Sequence, residues 1–156
     1  MEQAEELKKK GNQYFKDGEY QTAIRYYTKA INADKTNPKY FSNRAKCQQL
    51  LGNFEKGIED AKACIKLDKS FIKAYMIYGI CLCEIAKRDA SSEQINKAIE
   101  LIKKSISLCS SKNSRHFEAV LRKRVRRARK LKFLLEEQNG SQNMQNQRLY
   151  EEVEVS

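Results

Sequence analysis

Leu7-Lys8-Lys9-Lys10-Gly11-Asn12-Gln13-Tyr14-Phe15 is answered 34 residues later by Phe41-Ser42-Asn43-Arg44-Ala45-Lys46-Cys47-Gln48, and Cys47 and Cys81 mark the same period. What recurs is a pattern of sizes. Leu7, Gly11, Tyr14, Ala23, Tyr27 and Ala30 return as Phe41, Ala45, Gln48, Gly57, Ala61 and Cys64, and Tyr75, Gly79 and Leu82 carry the pattern into a third block. Gly11, Ala45 and Gly79 leave room for a second helix to approach, while Leu7, Phe41 and Tyr75 fill the adjoining hole. Asp17-Gly18 and Gly52-Asn53 supply tight turns inside the blocks. Asp34-Lys35-Thr36-Asn37-Pro38 ends the first block and sets Pro38 to open the next helix. Helices are expected near 2–17, 20–33, 38–51, 54–67, 72–86 and 93–109. In the third block the pair matching Ala23-Ile24 is Ala98-Ile99, seven residues late. The excess falls on the polar run 88–94, which is expected to be a surface loop.

Composition agrees with an all-α chain. It has 156 residues, 40% of them hydrophobic and 33% charged, with one proline and six glycines, enough for one domain at 1–137 followed by a tail. No apolar run approaches the roughly 18 residues of a membrane span. The N-terminus lacks the basic start and apolar stretch of a signal peptide, so a cytoplasmic or nuclear location is expected. Cys47, Cys64, Cys81, Cys83 and Cys109 are odd in number and form no C-x-x-C pair; they are expected as small buried hydrophobes. The sole histidine, His116, leaves no multi-histidine metal site and no histidine-activated nucleophile, and no glycine-rich phosphate loop appears. No enzyme activity, metal, cofactor or small-molecule substrate is expected.

A seventh helix is expected at about 114–137, because the last unit of a stack exposes an apolar face that must be covered. Phe117, Leu121, Val125, Ala128, Leu131 and Leu135 form its apolar stripe. Arg122, Lys123, Arg124, Arg126, Arg127, Arg129, Lys130 and Lys132 lie between them, so residues 112–132 hold ten of the chain's basic side chains and one acid, Glu118. The amide-rich run from 138 and the acidic end Glu151-Glu152-Val153-Glu154 are expected to be a disordered tail over 138–156.

The 34-residue period with alternating small and large positions resembles the tetratricopeptide repeat. The resemblance implies three helical hairpins, at about 4–37, 38–71 and 72–112, stacked as a right-handed superhelix with a long C-terminal capping helix. Lys8, Asn12, Asn43 and Lys73 fall on the first helices of these hairpins. They resemble the carboxylate-clamp class of the repeat, in which Lys, Asn, Asn and Lys hold the C-terminal Glu-Glu-Val-Asp of heat-shock chaperones. The class's fifth position, commonly Arg, is Ile77 here; the aspartate that the CHIP-type members carry on the capping helix falls near Val120, where there is no acid, so that contact is not implied. Two ammoniums and two amides can bond both carboxylates of a terminal Asp while the asparagines hold the peptide extended. Charge-assisted bonds of about 1.5 to 3 kcal/mol each, less ordering costs, give roughly micromolar affinity.

Phe71-Ile72-Lys73-Ala74-Tyr75, the insertion in the third block and Arg115-His116-Phe117 ahead of a basic helix are similar to the N-terminal half of CHIP-type co-chaperone ubiquitin ligases. That similarity implies an apolar pocket built by Phe117, Met76 and Ile77, and places the chain as the chaperone-binding half of such a ligase, without the ligase's U-box. The implied partners are C-terminal peptides of 70-kDa and 90-kDa heat-shock proteins. Two other readings stay open. The basic helix could follow phosphates of a nucleic acid or an anionic membrane, although its cations can equally cover a capping helix's apolar flank with their stems. The repeats could instead serve as a scaffold for some internal peptide. Glu151-Glu152-Val153-Glu154 also offers an acidic segment for self-association in the groove.

Overall fold

The computed structural model describes the backbone of residues 2–111 and 115–154 and the side chains of 2–109 and 118–145. Seven helices follow one another among these residues, with no strand: α1 (Glu2–Lys16), α2 (Tyr20–Ala33), α3 (Pro38–Leu50), α4 (Phe54–Leu67), α5 (Ile72–Arg88), α6 (Ser92–Ser111) and α7 (Arg115–Glu154). Each packs on its chain neighbours, while α3 also touches α5 and α5 touches α7. The odd-numbered helices therefore lie side by side along one wall, the arrangement of a stack of antiparallel hairpins.

The turns explain where the helices stop. Gly18 and Gly52 sit just beyond α1 and α3 with φ of 80° and 77°, and Ala90 takes the matching place after α5 with φ of 50°. The left-handed residue lets the chain reverse within three residues. Between hairpins, Asp34 Oδ1 accepts from the Thr36 N–H and hydroxyl at 2.9 and 2.7 Å, and Asp68 repeats this one period later with Ser70 at 2.8 and 2.7 Å. Asn37 then caps α3 by accepting from Lys39 N–H at 3.0 Å, with Pro38 in the first turn.

The small positions of the repeat are where helices meet. A Cβ on Gly11 would stand 2.6 Å from the Tyr27 ring, and one on Gly79 would stand 2.6 Å from Ile102 and 3.1 Å from the Ala98 carbonyl. Ala23, Tyr27 and Ala30 of α2, Gly57, Ala61 and Cys64 of α4, and Ala98, Ile102 and Ser105 of α6 are all buried, so the seven-residue offset of the third block is correct. Its expected consequence is not. The run 88–94 is no loop: α5 carries one more turn than α3, α6 begins three residues further before its Ala98 than α4 does before Gly57, and the connection is only 89–91. Ser91 Oγ accepts from Gln94 N–H at 3.3 Å and starts α6 as a cap, while Arg88 on the added turn bonds Glu55 of α4 at 2.8 Å.

The second correction concerns the tail. Residues 138–154, expected as disordered, continue α7 without a break to Glu154. Leu121, Val125, Ala128 and Leu135 of α7, with Leu131 partly buried, cover Ala86, Ile95, Ile99, Ile102 and Cys109, so the capping stripe is seated as expected over its described members. From 136 to 145 every side chain is exposed. Gln, Met, Glu and Arg lose little rotamer freedom in a helix and no proline interrupts them, so an amide-rich composition is compatible with a solvated helical extension.

One ion pair ties three helices together. Arg44 of α3 donates to both Asp60 oxygens on α4 at 2.9 and 2.7 Å and to Thr28 Oγ1 on α2 at 3.0 Å. Asp60 is only 6% exposed. Such a bidentate pair tolerates burial because every oxygen is met.

Candidate functional site

Lys8 and Asn12 of α1, Asn43 of α3 and Lys73 of α5 line a single cavity of about 390 Å³, together with Lys39, Ser42, Asp68, Ser70, Phe71 and Ile72. Three successive odd helices thus bring the four donors to one place. A neighbouring cavity of about 470 Å³ shares Asn12, Ser42, Asn43 and Lys73 with it and adds Phe15, Lys16, Tyr27, Lys46, Met76 and Ile77. The two form a continuous groove, cationic and amide-rich at one end and apolar-floored at the other.

Local bonds orient the amides. Asn12 Oδ1 accepts from the Tyr27 hydroxyl at 2.8 Å and from Asn43 Nδ2 at 3.2 Å. With its oxygen committed twice, Asn12 has only its NH2 left to offer, so it can donate to an acceptor such as a carboxylate. Asn43 keeps one N–H and its oxygen, which suits a peptide backbone. Burial pushes the Tyr27 phenol above its ordinary pKa, so it stays a donor at neutral pH.

The two lysines differ. Lys8 contacts Glu5 one turn back, and its hydrogen bond holds the Glu5 carboxyl below the usual range. Lys73 is exposed, with no carboxylate at salt-bridge distance among the described residues. Of the apolar pair, Met76 is partly buried against the α5–α7 core and lines the larger cavity. Ile77 also lines it, but it is 2% exposed and belongs to the core beside Tyr78 and Cys81. The side chain of Phe117 lies outside the described residues, as do those of Glu151, Glu152 and Glu154, so neither the expected pocket wall nor the tail's entry into the groove is placed.

Among the groove members that sequence reasoning missed are Tyr27, Lys39 and Lys46. Tyr27 stood out only as a packing position, since its partners in the repeat are Ala61 and Ile102; a phenol in a buried slot, which needs a bond, was the available signal. Lys39 is one period before Lys73, and Lys46 one period after Asn12, so sliding the repeat onto the donors themselves would have found both.

The described cysteines that carry shifted thiols are held protonated by burial. Cys47, Cys64 and Cys81 are buried, and burial pushes their thiols up to about 12; Cys83 rises to about 11 for the same reason. Protonated thiols are poor nucleophiles and ligands. No group of His, Cys, Asp or Glu among the described residues is arranged to hold a metal ion, and no helix among them is long and apolar enough to cross a membrane. The basic face of α7 lies apart from the groove: Arg122, Arg126 and Arg129 line a separate depression of about 490 Å³ with Lys103, Ile106 and Val125.

The repeat models described as "TPR repeat" and "Tetratricopeptide repeat" match residues 11–52 and 38–71. Over 96 residues the chain is 38% identical to Hsp70-Hsp90 organizing protein 2 of Arabidopsis thaliana, covering 62% of this chain and 17% of that protein. It spans less than a quarter of the length of the first curated relatives it matches. The first TPR of Spaghetti (RPAP3), solved bound to the HSP90 peptide SRMEEVD, aligns with a TM-score of 0.71 at 29% identity over 83% of this chain and 92% of that one. The second TPR of Spaghetti, bound to the same peptide, aligns with a TM-score of 0.62 at 31% identity over 68% of this chain and 92% of its own.

Proposed function

The chain belongs to the tetratricopeptide-repeat family, and from that premise we propose that its groove holds the free C-terminus of an acidic peptide, the Glu-Glu-Val-Asp end of Hsp70- and Hsp90-class chaperones. What carries the reading is that Lys8, Asn12, Asn43 and Lys73 line one cavity although they come from three helices. A terminal aspartate presents two carboxylates close together. Lys8 and Lys73 supply charge, Asn12 supplies N–H donors fixed by Tyr27, and Asn43 has a donor and an acceptor for the peptide backbone. Two solved repeat domains aligned with this chain hold the HSP90 peptide SRMEEVD, which supports the choice of ligand. Recognition of this kind is a binding function and requires no catalytic group.

The finer assignment, that this module serves a CHIP-like ubiquitin ligase in protein quality control, is supported by the lengthened α5–α6 hairpin and the basic capping helix. Ubiquitin transfer to chaperone-bound client by the whole protein tests it separately from binding.

Calorimetric titration of a seven-residue peptide ending Glu-Glu-Val-Asp tests the groove. Dissociation constants on the order of micromolar are expected, weakening about tenfold or more when the C-terminus is amidated or Lys73 is changed to Ala. Equal affinity of the acid and amide forms would overturn the reading.

A further inference from the structure

The residue one period after Asn12 is Lys46, and α3 delivers it to the same groove, against Phe15, Met76 and Ile77. Its surroundings are unusual for a lysine. It is partly buried, and among the described residues its ammonium donates to Gln49 Oε1 at 3.1 Å and meets no carboxylate at salt-bridge distance. Its neighbours in charge work against it: burial first, and then Arg124 of α7, lower its pKa. Arg124 itself has a buried Nε with no hydrogen-bond partner among the described residues. Lys46 therefore carries a partly buried charge inside the groove with no described carboxylate at salt-bridge distance, and the positive charge of Arg124 adds to its cost. A half-buried charge in that position is costly unless a ligand supplies the counter-charge.

We infer that Lys46 is a second anion-reading position of the groove, pairing with a carboxylate side chain upstream of the terminal residue of the bound peptide. The inference rests on the terminal-carboxylate reading above. Ile77 stands where a cation is common in the carboxylate-clamp class, and it is buried in the core. The charge on the groove floor is supplied instead from α3, beyond the four donors rather than among them. An extended peptide advances about 3.3 Å per residue, so a chain anchored by its terminus at Lys8, Asn12, Asn43 and Lys73 passes Lys46 with its preceding side chains. The position then selects for Glu or Asp upstream and against an uncharged residue there.

The test is a double-mutant cycle on the whole chain. Peptides ending Glu-Glu-Val-Asp, and versions with Gln replacing each upstream Glu in turn, are titrated onto wild type, Lys46→Met and Lys46→Arg, each in free-acid and amidated form. On wild type, at least one Glu-to-Gln exchange should weaken binding about fivefold or more, the penalty should shrink to under about twofold on Lys46→Met, and Lys46→Arg should restore it. The acid-over-amide preference should survive Lys46→Met. A Glu-to-Gln penalty unchanged by Lys46→Met, or no penalty on wild type, overturns the inference while leaving the terminal-carboxylate reading intact. Loss of the acid-over-amide preference on wild type overturns both, and its loss only on Lys46→Met shows that Lys46 shapes the clamp itself and is not a separate reader. Should Lys46→Met fail to fold, Lys46→Gln carries the same comparison.

Discussion

At the scale of single residues, the groove depends on a tyrosine that touches no proposed ligand. Tyr27 donates to Asn12 Oδ1 at 2.8 Å and so decides which end of the Asn12 amide faces the cavity. Tyr27→Phe keeps the ring that fills the space against Gly11 and removes only that donor. It should weaken the peptide about three- to tenfold and cost about 1 kcal/mol in stability by chemical denaturation, the scale of one hydrogen bond; unaltered affinity would show that Asn12 is oriented without it. The four clamp candidates were legible because each sits at a definable place on a first helix and their types match a known donor set. Tyr27 and Lys46 were not, because a tyrosine among packing positions and a lysine among many lysines carry no distinguishing mark until burial and neighbours are known.

At the scale of elements, the period placed six helices to within a few residues, since small-against-large spacing records helix contact directly. It failed where polarity was asked to distinguish loop from helix. Ser91-Ser92-Glu93-Gln94 looks like a loop by composition, yet a serine followed three residues later by glutamine also starts a helix, and an exposed helical turn is as polar as a loop. The same ambiguity concealed the helical course of residues 138–154. The turn after α5 retains a mark of its divergence: Ala90 holds φ of 50° where the other hairpins use glycine. Ala90→Gly should stabilise the chain by about 0.5–1 kcal/mol in denaturant titrations. The reverse exchange at a helix crossing, Gly79→Ala, should cost about 1–3 kcal/mol despite alanine's better helix propensity, because its methyl meets Ile102 and the backbone of Ala98. A neutral outcome would mean that α5 and α6 can separate freely.

At the scale of the whole molecule, the helices are joined by a core in which thiols act as hydrophobes, and this gives a pH signature. Cys47, Cys64 and Cys81 ionise near 12 and Cys83 near 11 in the fold, against an ordinary value of 9.0. These raised values mean that the folded chain holds protons which the unfolded chain releases. Their contribution is complete below about pH 9 and is lost as pH climbs toward 11 to 12, at about 1.4 kcal/mol per pH unit per thiol. Denaturation midpoints should therefore fall steeply between pH 9 and 11, and Cys64→Ala should lessen the slope; a flat profile would place the thiols in water. The stack sets the odd-numbered helices beside one groove, and side-chain amide signals report on that groove most directly. Titrating a free-acid Glu-Glu-Val-Asp peptide into labelled protein while following nitrogen–proton spectra, the account predicts large shifts of the Asn12 and Asn43 NH2 pairs that vanish with the amidated peptide. Shifts confined to Arg122, Arg126 and Arg129 of α7, with both asparagine pairs unmoved, would contradict it.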